Sequence, residues 1–170
     1  MLAIRTLRTF PLVATIAVGL ACGDDDDPTG PGSVTFPDWP STVVTGFCVR
    51  GTSVVGDTKS GTISDTDCDL ADVDPTAIGS YYEVWRVRVA SARDVTFDAN
   101  SEFDNYLAVV RVNSVSATAV DFVVVDDNDD RSDTDRNALV TVQLEPNVDY
   151  ALVVSGFQYT DTGPYTVAIR

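Results

Sequence analysis

The sequence predicts an all-β fold: one domain built as an antiparallel β-sandwich of about seven to nine short strands. Three observations predict it. From Thr42 onward apolar residues recur with period two, the spacing that sends alternate side chains to opposite faces of a strand. The periodic segments are rich in Val, Thr, Tyr and Phe, which suit a pleated surface. No amphipathic helix of ordinary length is present.

The strands follow in order. Glu83, Trp85, Val87 and Val89 share one face, with Val84, Arg86 and Arg88 on the other. Val95 and Phe97 alternate in the next segment, then Leu107 and Val109. Ala138, Val140, Val142 and Leu144 alternate against Leu139, Thr141 and Gln143. Tyr150, Leu152 and Val154 precede a last set, Tyr165, Val167 and Ile169. Turn residues separate them at Ala99-Asn100-Ser101, Asp126 to Asp130, Glu145-Pro146-Asn147 and Asp161-Thr162-Gly163-Pro164. A closed soluble barrel is the alternative architecture. Few, short strands and acidic loops argue against a membrane-spanning barrel.

Residues 1–21 read as a secretory leader. Arg5 and Arg8 precede an apolar run from Phe10 to Leu20, and small residues lead into Cys22. That run is too short to span a bilayer. The pattern resembles a bacterial lipoprotein signal, in which the cysteine thiol takes a diacylglycerol and becomes the new N-terminus. Such an anchor carries about two or three acyl chains, palmitate among them, and holds durably where one chain would not. Gly19 stands where such signals usually carry Leu. An ordinary secreted protein and an uncleaved anchor are the other readings, and each places the domain outside the cytoplasm. Gly23, in place of an inner-membrane retention Asp, points to the outer membrane or cell surface.

Residues 22–40 form a tether with Asp24 to Asp27 followed by Pro28, Gly30, Pro31 and Gly32. It has breakers and like charges but no apolar periodicity, as expected of a solvated spacer. Phe36, Trp39 and Pro40 open the folded part, and the sandwich domain takes 41–170.

The chain of 170 residues has a formal net charge of −15, a single lysine (Lys59) and no histidine. Without Arg5 and Arg8 the remainder is near −17. This balance repels nucleic acid and anionic headgroups. It removes the commonest general base and zinc ligand. With Cys22 lipidated, Cys48 and Cys68 are left as an even pair able to close a disulfide in an oxidising compartment; two buried free thiols are the other reading.

From about Gly51 to Arg170 the chain resembles the bacterial pre-peptidase C-terminal domain. The likeness rests on Ser60-Gly61-Thr62-Ile63, on Asp67-Cys68 and on Gly79-Ser80-Tyr81-Tyr82-Glu83-Val84-Trp85. It continues through Ser101-Glu102-Phe103-Asp104-Asn105-Tyr106-Leu107, Asp126-Asp127, Asn147-Val148-Asp149-Tyr150 and Gly163-Pro164-Tyr165-Thr166-Val167. Glu83 and Trp85 stand where the family prefers Asp and Tyr. Val148 and Asp149 replace its Gly and Thr. The resemblance implies a jelly-roll-like sandwich and a non-catalytic role. The leader and tether run straight into the module, so the family's role beside a linked protease does not carry over directly.

Several groups are candidate sites. Asp126, Asp127 and Asp129, with Asp104, form a candidate calcium set, since calcium takes several oxygen ligands. Asp126, Asn128 and Asp130 match the start of an EF-hand loop, but Arg131 and Asn137 occupy its required Gly and Glu positions. A solvated acidic loop that discourages sheet aggregation is the competing reading. Asp104 and Asp127 also suit capping of backbone N–H groups. A buried Glu83 requires a cation, Arg86, Arg93 or another. Phe157 and Tyr159 lie in the loop before the last strand and are the candidate binding surface; Trp39, Phe47, Tyr81 and Tyr82 are weighed against core packing. No Ser or Thr has an activating base, and no carboxylate pair sits in a recognisable glycosidase motif.

These observations predict a non-catalytic lipoprotein of the bacterial envelope, a binding or accessory module for an unknown protein or polysaccharide. A calcium-dependent carbohydrate- or matrix-binding module is the competing class. Mass spectrometry of the membrane-extracted protein should find a chain starting at an acylated Cys22. Cytosolic protein with Met1 intact would contradict the leader assignment.

Overall fold

The computed structural model describes residues 33–70 and 80–170. The expectations for Cys22 and for Asp24 to Asp27 fall outside them. The described residues form a short helix, α1 (Ser41–Gly46), and ten strands: β1 (Val49–Ser53), β2 (Thr58–Ile63), β3 (Cys68–Asp69), β4 (Tyr81–Val87), β5 (Arg93–Ser101), β6 (Asn105–Val115), β7 (Val120–Asn128), β8 (Leu139–Leu144), β9 (Tyr150–Gly156) and β10 (Gly163–Ile169). That is slightly more than expected, because β3 is a two-residue strand with no periodic signal. No helix among them is long and apolar enough to cross a membrane.

The strands make two sheets. One runs β1-β4-β9-β6-β7, with β3 also on β4; the other runs β2-β10-β5-β8. All pairings are antiparallel except β1 on β4. The sheets pack face to face as a sandwich. The period-two faces meet between them: Val95, Phe97, Leu107, Val109, Val140, Val142, Leu144, Leu152, Val154, Val167 and Ile169 are all buried in one cluster.

The larger sheet is buried on its second face as well. Tyr82, Val84, Val110, Val112, Phe122 and Ala151 pack there against Trp39 and Val43. Residues 35–43 therefore form a third layer, beginning ahead of the boundary drawn at residue 40. Arg86 clamps it. Its guanidinium lies 4.1 Å from the Trp39 ring centre and 5.4 Å from that of Phe36, and donates to the Pro37 carbonyl at 2.7 Å. Asp149 lies 3.6 Å from Arg86 and 2.6 Å from Arg88, which donates to the Thr35 carbonyl at 2.7 Å. Burial lowers the Arg86 pKa, partly offset by Asp149. Stacking a desolvated cation on indole favours this arrangement.

Cys48 and Cys68 form a disulfide across a separation of 20 residues. It joins β1 and β3, which share one edge of β4: Cys48 accepts from the Val84 N–H and Cys68 pairs with Tyr82. Closing that loop contributes about 3 kcal/mol in the chain-entropy model.

Glu83 points between the sheets and is 1% exposed. Its cation is Arg50, not Arg86 or Arg93: Arg50 Nε donates to Oε1 at 2.8 Å, and Arg50 also pairs with Asp67. From the opposite sheet the Tyr165 hydroxyl donates to Oε2 at 2.7 Å and accepts from Trp85 Nε1 at 2.8 Å. Burial and this bond to Glu83 raise the Tyr165 pKa, so the phenol stays a donor. Gly61 leaves the necessary room. A Cβ there would lie 2.2 Å from Glu83 Oε2 and 2.5 Å from the Tyr165 hydroxyl.

Tyr165→Phe should destabilise the fold by about 1–3 kcal/mol, because two buried polar groups lose their partner. Gly61→Ala should do at least as much by overpacking. Thermal melting reads each kcal/mol as roughly 2–4 °C at this size. Unchanged midpoints would contradict the assigned network.

Candidate functional site

The outer face of the larger sheet is only partly roofed by the N-terminal layer. Tyr82, Ser155 and Tyr106 form one rung of it across β4, β9 and β6. Tyr82 belongs to the roofed cluster. Ser155 and Tyr106 line a cleft of about 210 Å³ beside it, closed at the margins by Leu70, Ser80 and the β9–β10 loop.

Two aromatic side chains of that loop, Phe157 and Tyr159, line the cleft while remaining 39% and 45% exposed. The loop is braced where it leaves β9. The Phe157 N–H donates to the Asp104 carbonyl at 2.8 Å, and Asp161 closes a turn by accepting from the Gln158 N–H at 3.0 Å. A Cβ at Gly156 would lie 2.5 Å from the Asp161 carbonyl oxygen, so glycine lets the loop fold back this tightly. The other two aromatics weighed with Trp39 and Tyr82 are half-buried: Phe47 packs on the rings of Tyr82 and Phe122, and Tyr81 against the central core.

The acidic wall comes from the end of β7. Asp127 pairs with Ala108, two residues from Tyr106 on the same face of β6. Asp129 follows, and both carboxylates line the cleft. Asn128 holds their turn by donating to the Asp130 and Leu139 carbonyls at 2.7 and 3.0 Å. The Tyr106 hydroxyl is sealed from solvent, with the Asp127 carboxylate as its polar neighbour. Burial, with the Asp127 and Asp129 charges beside it, raises its pKa and keeps it neutral.

The four aspartates expected to share calcium are not brought together. Asp126 and Asp127 continue strand β7 rather than starting a loop, so their side chains leave on opposite faces. Asp104 does not cap backbone N–H groups with its side chain; Oδ2 pairs with Arg136 at 2.5 Å and Oδ1 is buried without a partner. Arg131, in the EF-hand glycine position, anchors the segment to the other sheet through Asp98 and the Ala99 carbonyl. Among the described residues no three acidic or thiol groups gather closely enough to hold a metal.

The motif reading did not single out Asn105, which is fully buried. It donates to Ser101 Oγ and Asn137 Oδ1 at 2.7 and 2.8 Å and accepts from the Ala138 N–H at 2.9 Å. It pins the β5–β6 corner that carries Asp104 and Tyr106. A buried asparagine has no periodic signature, so only its membership of the Phe-Asp-Asn-Tyr-Leu motif pointed to it.

No protein-family model and no curated protein sequence matches the chain. Solved structures do resemble it. The pre-peptidase C-terminal domain of collagenase from Bacillus anthracis matches at 12% identity and TM-score 0.49, over 71% of this chain and 93% of that one. CorA, a surface-associated copper-binding protein of Methylomicrobium album BG8, matches at 10% identity and TM-score 0.50, over 72% and 98%. PliG of Aeromonas hydrophila, a periplasmic inhibitor of g-type lysozyme, matches at 12% and 0.43, over 72% and 99%. At 10% identity and TM-score 0.50, the likeness to CorA is one of fold alone.

Millimolar calcium should leave the melting midpoint unchanged, since a ligand of the native state must raise it. A clear rise, lost in Asp127→Asn, would show a calcium site built at this loop.

Proposed function

We propose that the chain is a non-catalytic lipoprotein of the bacterial envelope, anchored through Cys22 in the outer membrane or at the cell surface. Its sandwich binds an envelope protein or polysaccharide. The observation that carries the binding part is the cleft on the outer sheet face, where Phe157 and Tyr159 stand exposed beside Asp127 and Asp129. Exposed aromatic rings at the rim of a concave site are costly to keep in water and useful to a ligand. A loop braced at Gly156 and Asp104 holds them in place before any ligand arrives, which lowers the ordering cost of binding.

The leader, the acidic tether and the sandwich then have a physical order. Acyl chains hold the chain to the membrane, a self-repelling spacer extends from it, and the domain presents its cleft to neighbours. The nearest approach to a reactive constellation, the Glu83–Tyr165 pair, is buried between the sheets and engaged in holding them.

Expressed with its leader in a bacterial host, the protein should fractionate with membranes and Cys22→Ser should not. Phe157→Ala/Tyr159→Ala should lose no more than about 1 kcal/mol of stability by thermal melting, because both side chains are exposed. The same variant should lose retention on isolated envelope material that holds the unaltered protein. Equal retention would overturn the cleft as the binding site.

A further inference from the structure

We infer that the cleft between Tyr106, Asp127, Asp129, Phe157 and Tyr159 receives a basic side chain, an arginine or lysine, presented by a protein partner. This deepens the binding reading above and rests on it.

Charge is the first ground. Most of the described cations are engaged elsewhere in the fold, and the two without an ion pair, Arg93 and Arg111, do not line the cleft. Arg50 pairs with Glu83 and Asp67, Lys59 with Asp57, Arg86 and Arg88 with Asp149, Arg131 with Asp98 and Asp135, and Arg136 with Asp104. Asp127 and Asp129 have no ion pair among the described residues, and no Lys or Arg lines the cleft. Two carboxylates on one wall of a concavity, uncompensated in a chain of net charge −15, make a local negative well.

The rings are the second ground, and they come from a different element. Phe157 and Tyr159 arrive from the β9–β10 loop, whereas Asp127 lies at the end of β7 and Asp129 just after it. An aromatic face attracts a cation through its quadrupole, and the attraction grows on desolvation. Carboxylates and aromatic rings lining one cleft are complementary to a guanidinium or ammonium on an apolar stem. A bare divalent ion fits poorly, because among the described residues no three acidic or thiol groups gather. Size is the third ground: about 210 Å³ accommodates one long side chain and not a folded segment.

The test uses the full-length acylated protein in neutral detergent. Isothermal titration with acetyl-(Arg)4-amide is compared with the isosteric citrulline peptide, which keeps the shape and removes the charge. Binding of the arginine peptide is expected, with about tenfold or greater weakening in Asp127→Asn/Asp129→Asn and in Tyr159→Ala. The control Asp94→Asn/Glu145→Gln removes the same charge from exposed positions at the β5 start and after β8, and should bind as the unaltered protein does.

Equal weakening in that control would show diffuse acidic attraction and overturn the proposal. Citrulline binding as tight as arginine binding would overturn it in favour of a neutral ligand. No arginine binding together with loss of envelope retention in Phe157→Ala/Tyr159→Ala would overturn the basic side chain and leave the cleft reading standing. Failure of both would remove both.

Discussion

The carboxylate of Glu83 lies between the two sheets, and the sandwich is arranged around the need to satisfy it. An ionised group at 1% exposure is tolerable only when its oxygens are all engaged. Arg50 reaches it from β1 in the same sheet, and Tyr165 reaches it from β10 in the other. That second bond fixes how the sheets sit against each other at this end, because Tyr165 is held by Trp85 as well. Gly61 on β2 leaves the space this approach requires. Purely apolar packing tolerates sliding, whereas a directional bond inside the core does not. The disulfide from β1 to β3 braces the same strand edge from which Arg50 projects.

The consequence on the other side of the larger sheet is a rigid platform. Its central strands are buried on both faces, and the N-terminal layer is held there by Arg86 stacked on Trp39. Where that layer stops, the sheet face continues as the floor of the cleft through Tyr106 and Ser155. Binding groups placed on strands and on a braced loop keep their geometry better than groups on a free loop.

Much of the inner core was legible from alternation alone. Each period-two set between Val95 and Ile169 lies on the face turned to the opposite sheet. The turn at Glu145-Pro146-Asn147 is present, with Asn147 at φ 62°, a conformation asparagine tolerates. The outer face was not legible in the same way. Val84 read as the second face of its strand and Tyr82 was weighed between surface and core; both are buried, with Val110 and Ala151, because a segment far away in sequence covers them. Arg86 was offered as a partner for Glu83, and the covering segment engages it instead.

The candidate site was legible in pieces. Phe157 and Tyr159 stood out by residue type, and Asp127 and Asp129 by density of charge. That they share one cleft depends on the strand order β9-β6-β7, which brings residues from three parts of the chain onto neighbouring strands. Tyr106 carried no signal beyond its motif, since its role comes from burial beside Asp127. Asp104 was misread because its partner, Arg136, sits 32 residues away.

Amide chemical-shift mapping during titration with acetyl-(Arg)4-amide tests the central claim most directly. Shifts should concentrate at Leu70, Tyr106, Asp127, Asp129 and residues 156–159, and leave β2, β5 and β8 unmoved. Shifts centred on the smaller sheet, or around Arg50 and Trp85, would place recognition elsewhere and contradict it.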